Sequence, residues 1–135
     1  MLYIFLDIDG VLNTSAEWRK LYALNDKCVE RFAAYVKKQK KEVRIVLSSS
    51  WRTGFAYNRE SLPHIKDLKK RLAVYGLSIY GKTPILKGHT REEEIKAYIE
   101  NNNVKDYVII DDDKSLFSSE VKNLYLVDAK KGFCI

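Results

Sequence analysis

Two carboxylates stand one residue apart where an apolar run ends, in Ile4-Phe5-Leu6-Asp7-Ile8-Asp9-Gly10-Val11. A second acidic group, Asp111-Asp112-Asp113, follows another apolar run, Tyr107 to Ile110. Unpaired carboxylates at the ends of buried strands are costly, because desolvation and mutual repulsion both oppose their charged forms. A hard divalent cation offsets that cost. Mg²⁺ takes oxygen ligands and binds through one or two carboxylates together with phosphate oxygens. The residue types therefore point to metal-assisted chemistry on a phosphate group. Each part has an ordinary alternative: Asp9-Gly10 suits a turn and Asp113 suits a helix cap. An EF-hand calcium loop does not fit, since Gly10 comes too early and strands flank the acids. The alternatives leave one regularity without a cause, namely apolar strand bodies with polar ends. A shared metal site drawn from Asp7, Asp9, Asp111 and Asp112 accounts for it.

Within such a site the two aspartates of the first run divide the work. An aspartate held by a metal can attack phosphorus directly, which makes Asp7 the candidate nucleophile. Asp9 is placed to give a proton to the leaving group and later to take one from water. Ser48 begins a polar run after Val43 to Leu47. Its hydroxyl and nearby backbone N–H groups suit a phosphoryl oxygen, with Gly10 and Ser49 as further substrate-binding candidates. Arg52 offers a planar fork for phosphate, whereas Trp51 reads as packing. A cation must also face the transferred group, and Arg91 and Lys87 are the candidates. Arg91 would be the first residue of a helix, where the dipole favours an anion, so helix stability does not explain an arginine there.

The elements that must position these residues are legible from periodicity. Residues 2–8 and 43–47, Tyr107 to Ile110 and Asn123 to Val127 read as strands, the inner ones buried on both faces. Val29, Phe32, Ala33 and Val36 recur at helical spacing after Asn25 or Asp26 as cap. Leu62, Ile65, Leu68 and Leu72 predict a second helix, with Pro63 in its first turn and Gly76 beyond its end. Thr90-Arg91-Glu92-Glu93 is a capping box opening a third helix that stops near Asn101. Residues 77–89 read as a short strand or a loop. Strands alternating with helices predict an α/β fold, a three-layer Rossmann-like parallel sheet with helices on both faces. Ligands of such sheets sit beyond the carboxyl ends of the strands, where Asp7, Ser48 and Asp111 all fall.

At these residues the chain resembles the haloacid dehalogenase (HAD) superfamily of phosphatases. Asp7-Ile8-Asp9-Gly10-Val11 is similar to its first motif, Ser48 to its second, Arg91 or Lys87 to its third, and Asp111-Asp112 to its acidic fourth. The resemblance implies a Mg²⁺ cofactor, an aspartyl-phosphate on Asp7, and metal contacts from the Asp7 carboxylate, the Asp9 backbone carbonyl and Asp111 or Asp112. A narrower similarity is to the small HAD domains associated with RNA-repair proteins. It rests on Leu47-Ser48-Ser49-Ser50-Trp51-Arg52, Arg91 with Glu94-Ile95, Ile110 to Asp113, Val127-Asp128 and Gly132-Phe133. The superfamily's usual third-motif lysine has no clear counterpart here, and the arginine-led motif of the narrower group makes Arg91 the better candidate. The gaps after Asp9 and after Trp51 are too short for a substantial cap. An open site suits a large phosphorylated substrate, with a nucleic-acid end foremost.

Size and charge agree with that expectation. The 135 residues suit a single domain spanning 1–135, and the net charge of +6 favours polyanionic partners. Lys37, Lys38, Lys40 and Lys41 also complement a helix C-terminus, which needs no partner. Cys28 and Cys134 form no metal-ligand spacing, and no signal-peptide pattern or bilayer-length apolar run is present, so a reduced, cytoplasmic protein without membrane partners is expected. Two rival readings use the same acids. One is a non-catalytic module that binds phosphorylated nucleic-acid ends, against which Asp9 argues. The other is a two-metal nuclease.

Overall fold

The innermost strand is a five-residue run of apolar and aromatic residues, Leu2-Tyr3-Ile4-Phe5-Leu6. In the computed structural model, which describes residues 1–20, 23–52 and 62–134, β1 (Leu2–Leu6) is buried along its whole length. It pairs in parallel with β2 (Val43–Leu47) on one side and β4 (Tyr107–Asp111) on the other. β3 (Ile79–Lys82) and β5 (Leu124–Leu126) form the edges, giving the order β3-β2-β1-β4-β5 with every pair parallel. Residues 77–89 thus contain a strand, and the first and last strands are shorter than their apolar runs.

Alternation along β1 separates two cores. Leu2, Ile4 and Leu6 face α1 (Asp26–Lys37) and α2 (Pro63–Ala73), packing with Val29, Phe32, Val36, Ile65, Leu68 and Leu72. Tyr3 and Phe5 face the opposite layer, where α3 (Arg91–Asn101) contributes Ile95 and Tyr98. Ile4, Phe5 and Leu6 are fully buried, each contributing roughly 1.5–3 kcal/mol relative to exposure. The expected three-layer α/β arrangement is therefore present. The helix starts also follow the sequence. The Asn25 side chain accepts the Cys28 N–H, Pro63 sits in the first turn of α2, and Thr90 and Glu93 cap each other at α3.

Phe133 closes the α1 side. It is fully buried, lies edge-on to Phe32 and Tyr35, and donates its N–H to the Val11 carbonyl. That contact ties the C-terminal segment to the turn after β1. The chain moves outward from β1 to β2 and β3, then crosses back to lay β4 on the other flank of β1. The strand order reverses there, and the crevice beyond the carboxyl ends of β1 and β4 is where such sheets hold ligands. Among the described residues, no large cap domain covers that crevice. Among the described residues, no helix is long and apolar enough to cross a membrane.

Candidate active site

Register brings the strand ends together. Leu6 lies opposite Leu47 on one side and Ile110 on the other. The next residues, Asp7, Ser48 and Asp111, therefore share one rim, and all three are buried. Asp7 donates its N–H to the Ile110 carbonyl and Ser48 to that of Leu6, so both backbones are held by the ladder. Asp112 joins them: one carboxylate oxygen each from Asp7, Asp111 and Asp112 lies within 4.8 Å of the others. Arg91, the first residue of α3, reaches across, with Nη1 2.8 Å from Asp111 Oδ2 and 3.2 Å from Asp7 Oδ1.

The charges explain what this group can hold. Burial, and then repulsion from Asp111, hold the Asp7 carboxyl well above its ordinary pKa, although Arg91 pulls it down. Burial also raises Asp112, against the pull of its hydrogen bond with Asp7. Burial works against the charge of Arg91, but Asp7 and Asp111 outweigh it and raise its pKa. One guanidinium faces three carboxylates, so the cluster remains acidic. All-oxygen donors, close spacing and excess negative charge fit a hard divalent cation such as Mg²⁺.

Asp9 lies outside that group. Its Oδ1 accepts from Asn13 Nδ2 at 3.0 Å and its Oδ2 from the Trp51 indole N–H at 3.1 Å. The Asp9 carboxylate is thus not one of the three that gather, and the metal contact expected of Asp9 is its backbone carbonyl. Asn13 organises this turn. It is buried, its Oδ1 accepts from Gly10 N (2.7 Å) and Trp18 Nε1 (3.0 Å), and its Nδ2 also donates to the Ala23 carbonyl (2.8 Å). Gly10 is required by geometry. Its φ is +83°, and an added Cβ would stand 2.2 Å from Asp112 Oδ2. Gly10 therefore makes room for Asp112. Gly10 was expected to bind substrate; its N–H is given to Asn13 Oδ1.

Residues 3–133 match the family described as the HAD domain in Swiss Army Knife RNA repair proteins. The chain belongs to that family. No curated protein and no solved structure matches it.

In this HAD domain, α3 brings Arg91 to the acidic group and leaves Lys87 exposed in the preceding turn, where it forms no ion pair among the described residues. The Ser48 hydroxyl is fully buried and has no hydrogen-bond partner among the described residues, leaving a polar group at the rim to be satisfied. Ser49 Oγ accepts the Trp51 N–H at 3.2 Å. Arg52 departs from the expectation of a phosphate clamp. Its Nη1 donates to the Ser48 and Ser49 carbonyls (2.7 and 2.9 Å), and its Nη2 pairs with Glu94 at 2.6 Å. The other Glu94 oxygen accepts the Leu86 N–H at 2.8 Å. This buried pair fastens the turn after β2 to α3 and to the loop before it. Trp51 is buried, as expected of a packing residue, but its indole N–H also holds Asp9. Asn13 and Glu94 were the residues missed. For Asn13 the signal was its place three residues after Gly10, a spacing at which a short amide side chain reaches back to the backbone. For Glu94 it was a carboxylate beside Ile95 on the inward face of a helix, where burial demands a partner.

Proposed function

We propose that this HAD domain is a Mg²⁺-dependent phosphomonoesterase that acts on phosphorylated nucleic-acid ends through an aspartyl-phosphate on Asp7. The observation that carries this reading is the meeting of Asp7, Asp111, Asp112 and Arg91 beside the unpartnered hydroxyl of Ser48. Asp7 attacks phosphorus through a carboxylate oxygen, and the bond to the leaving oxygen breaks. Asp9, held by Trp51 and Asn13, gives that oxygen a proton. Asp9 then takes a proton from water, whose oxygen attacks phosphorus and releases the Asp7 carboxylate. Ser48 and Arg91 hold phosphoryl oxygens throughout, a task of positioning and charge neutralisation. Mg²⁺ held by Asp7, Asp111 and Asp112, with the Asp9 backbone carbonyl, would offset the repulsion between nucleophile and phosphate.

The net charge of +6, and a crevice without a large cap among the described residues, support a large anionic substrate. The test uses oligonucleotides carrying 3′- or 5′-phosphates and a small phosphate ester, in Mg²⁺ and in chelator. The wild type should release phosphate only with the metal, and Asp7→Asn should lower the rate by about 10³-fold or more. Equal turnover by Asp7→Asn would refute the mechanism. Metal-dependent binding of the ends without release would select the binding module instead.

A further inference from the structure

The leaving group of a phosphate monoester is one oxygen away from phosphorus. Space beside the phosphate-facing arginine is therefore within reach of the group that the phosphate is attached to. A cavity of about 300 Å³ lies there, lined by Ser50, Arg52, Ile85, Arg91, Glu94 and Leu116. That volume is at the small end of ligand pockets and suits one ring system rather than a long chain. A larger cavity of about 540 Å³ lies along α3 and residues 120–122. Arg91 does not line it, so it is not this space.

The walls of the smaller cavity indicate what it takes. Ile85 is 47% exposed and Leu116 is half-buried, and neither belongs to either core cluster. They come from different loops, Ile85 from the one before α3 and Leu116 from the short turn after Asp113. Two aliphatic side chains outside both cores and beside a charged site suit the flat faces of a ring. The polar side of the cavity carries Arg52 and Arg91, and both oxygens of its one carboxylate, Glu94, already accept hydrogen bonds. A hydroxyl-rich sugar would gain little from such walls. A planar ring with apolar faces and accepting edges would gain from both.

We infer that this cavity, walled by Ile85 and Leu116 beside Arg91, receives the terminal nucleoside of a phosphorylated strand, the base lying on the aliphatic walls. The inference rests on the phosphate-end reading above and names the group that the site recognises next to the phosphate. Basic net charge favours a nucleic-acid strand over other carriers of a planar leaving group.

The experiment measures equilibrium binding in Mg²⁺ to the full chain carrying Asp9→Asn, which retains the three-carboxylate cluster and lacks the proton carrier. The probes are oligoribonucleotides with a 3′- or 5′-terminal phosphate on a normal or an abasic end residue, the same strands ending in hydroxyl, and a phosphotyrosyl peptide. Covering one base face of about 55 Å² at about 25 cal/mol per Å² corresponds to about tenfold in affinity. A phosphorylated end bearing its base should therefore bind about tenfold tighter than the abasic one. Adding Ile85→Asp, and separately Ile85→Ser, should erase that difference, with melting temperatures matching the parent. Equal binding of base-bearing and abasic phosphorylated ends, both above the hydroxyl ends, would overturn the nucleoside site and leave the phosphate reading standing. Tighter binding of the phosphotyrosyl peptide than of any strand would also overturn it. No preference for phosphate over hydroxyl ends would remove the underlying reading and the inference with it.

Discussion

Replacing Gly10 with alanine tests whether the turn after β1 is built around Asp112. Gly10 has φ +83°, and a left-handed backbone costs a residue with a Cβ roughly 1–2 kcal/mol. The new Cβ would also stand 2.2 Å from Asp112 Oδ2 and 2.6 Å from its Cγ, distances at which the carboxylate must swing away. Together these should cost about 2–3 kcal/mol. Gly76 supplies the control, because its φ is +73° and nothing lies within 4 Å of an added Cβ. Gly76→Ala should cost only the backbone share, roughly 1–2 kcal/mol. At about 4 °C per kcal/mol for a chain of this size, Gly10→Ala should melt about 8–12 °C below wild type and Gly76→Ala about 4–8 °C below. Moving Asp112 should also weaken Mg²⁺ binding by about tenfold in calorimetry, an effect absent from Gly76→Ala. Combining Gly10→Ala with Asp112→Ala should return most of the contact energy, making the pair strongly non-additive. If Gly10→Ala is no worse than Gly76→Ala and binds Mg²⁺ normally, the proposed dependence of Asp112 on Gly10 is wrong.

Three further outcomes follow from the same contacts. Burial and Asp111 raise the folded-state pKa of Asp7 above its unfolded value near 3.8, so without metal its stabilising share is lost as pH rises through the folded value. Asp7→Asn should then melt higher than wild type at pH 7 in chelator. That gain should vanish as pH falls below both values, and Mg²⁺ should stabilise the wild type by about 2.7 kcal/mol at a hundredfold excess over Kd but the variant far less. Glu94→Ala leaves the buried Arg52 guanidinium unpaired and should cost about 3–5 kcal/mol in urea unfolding, much of it restored by Arg52→Met with Glu94→Leu. Trp51→Phe keeps the packing but removes the N–H to Asp9, so kcat should fall about tenfold or more with Mg²⁺ affinity unchanged in steady-state kinetics and calorimetry.

The fold was legible where its signals are local. Helix starts at Asn25 and Thr90, and the apolar bodies of β1, β2 and β4, depend on residues within one or two turns or on strict burial. β3 was ambiguous because its inner half is short and its alternate positions are exposed, as befits an edge strand. Arg52 misled because its charge and its place after Ser48 suit phosphate as well as they suit Glu94. The choice between those partners is made by α3, which stands far away in sequence.

The sequence by itself determined where carboxylates and hydroxyls must stand: at the ends of apolar runs, in Asp7, Ser48 and Asp111. Burial of the strand bodies leaves polar groups no other place. Tertiary structure alone decided which of these meet. Strand order set Asp111 beside Asp7. The placement of α3 chose Arg91 over Lys87, and the turn after β2 turned Trp51 onto Asp9. Periodicity and capping act over a few residues, whereas the reach of a guanidinium or an indole depends on how whole elements pack.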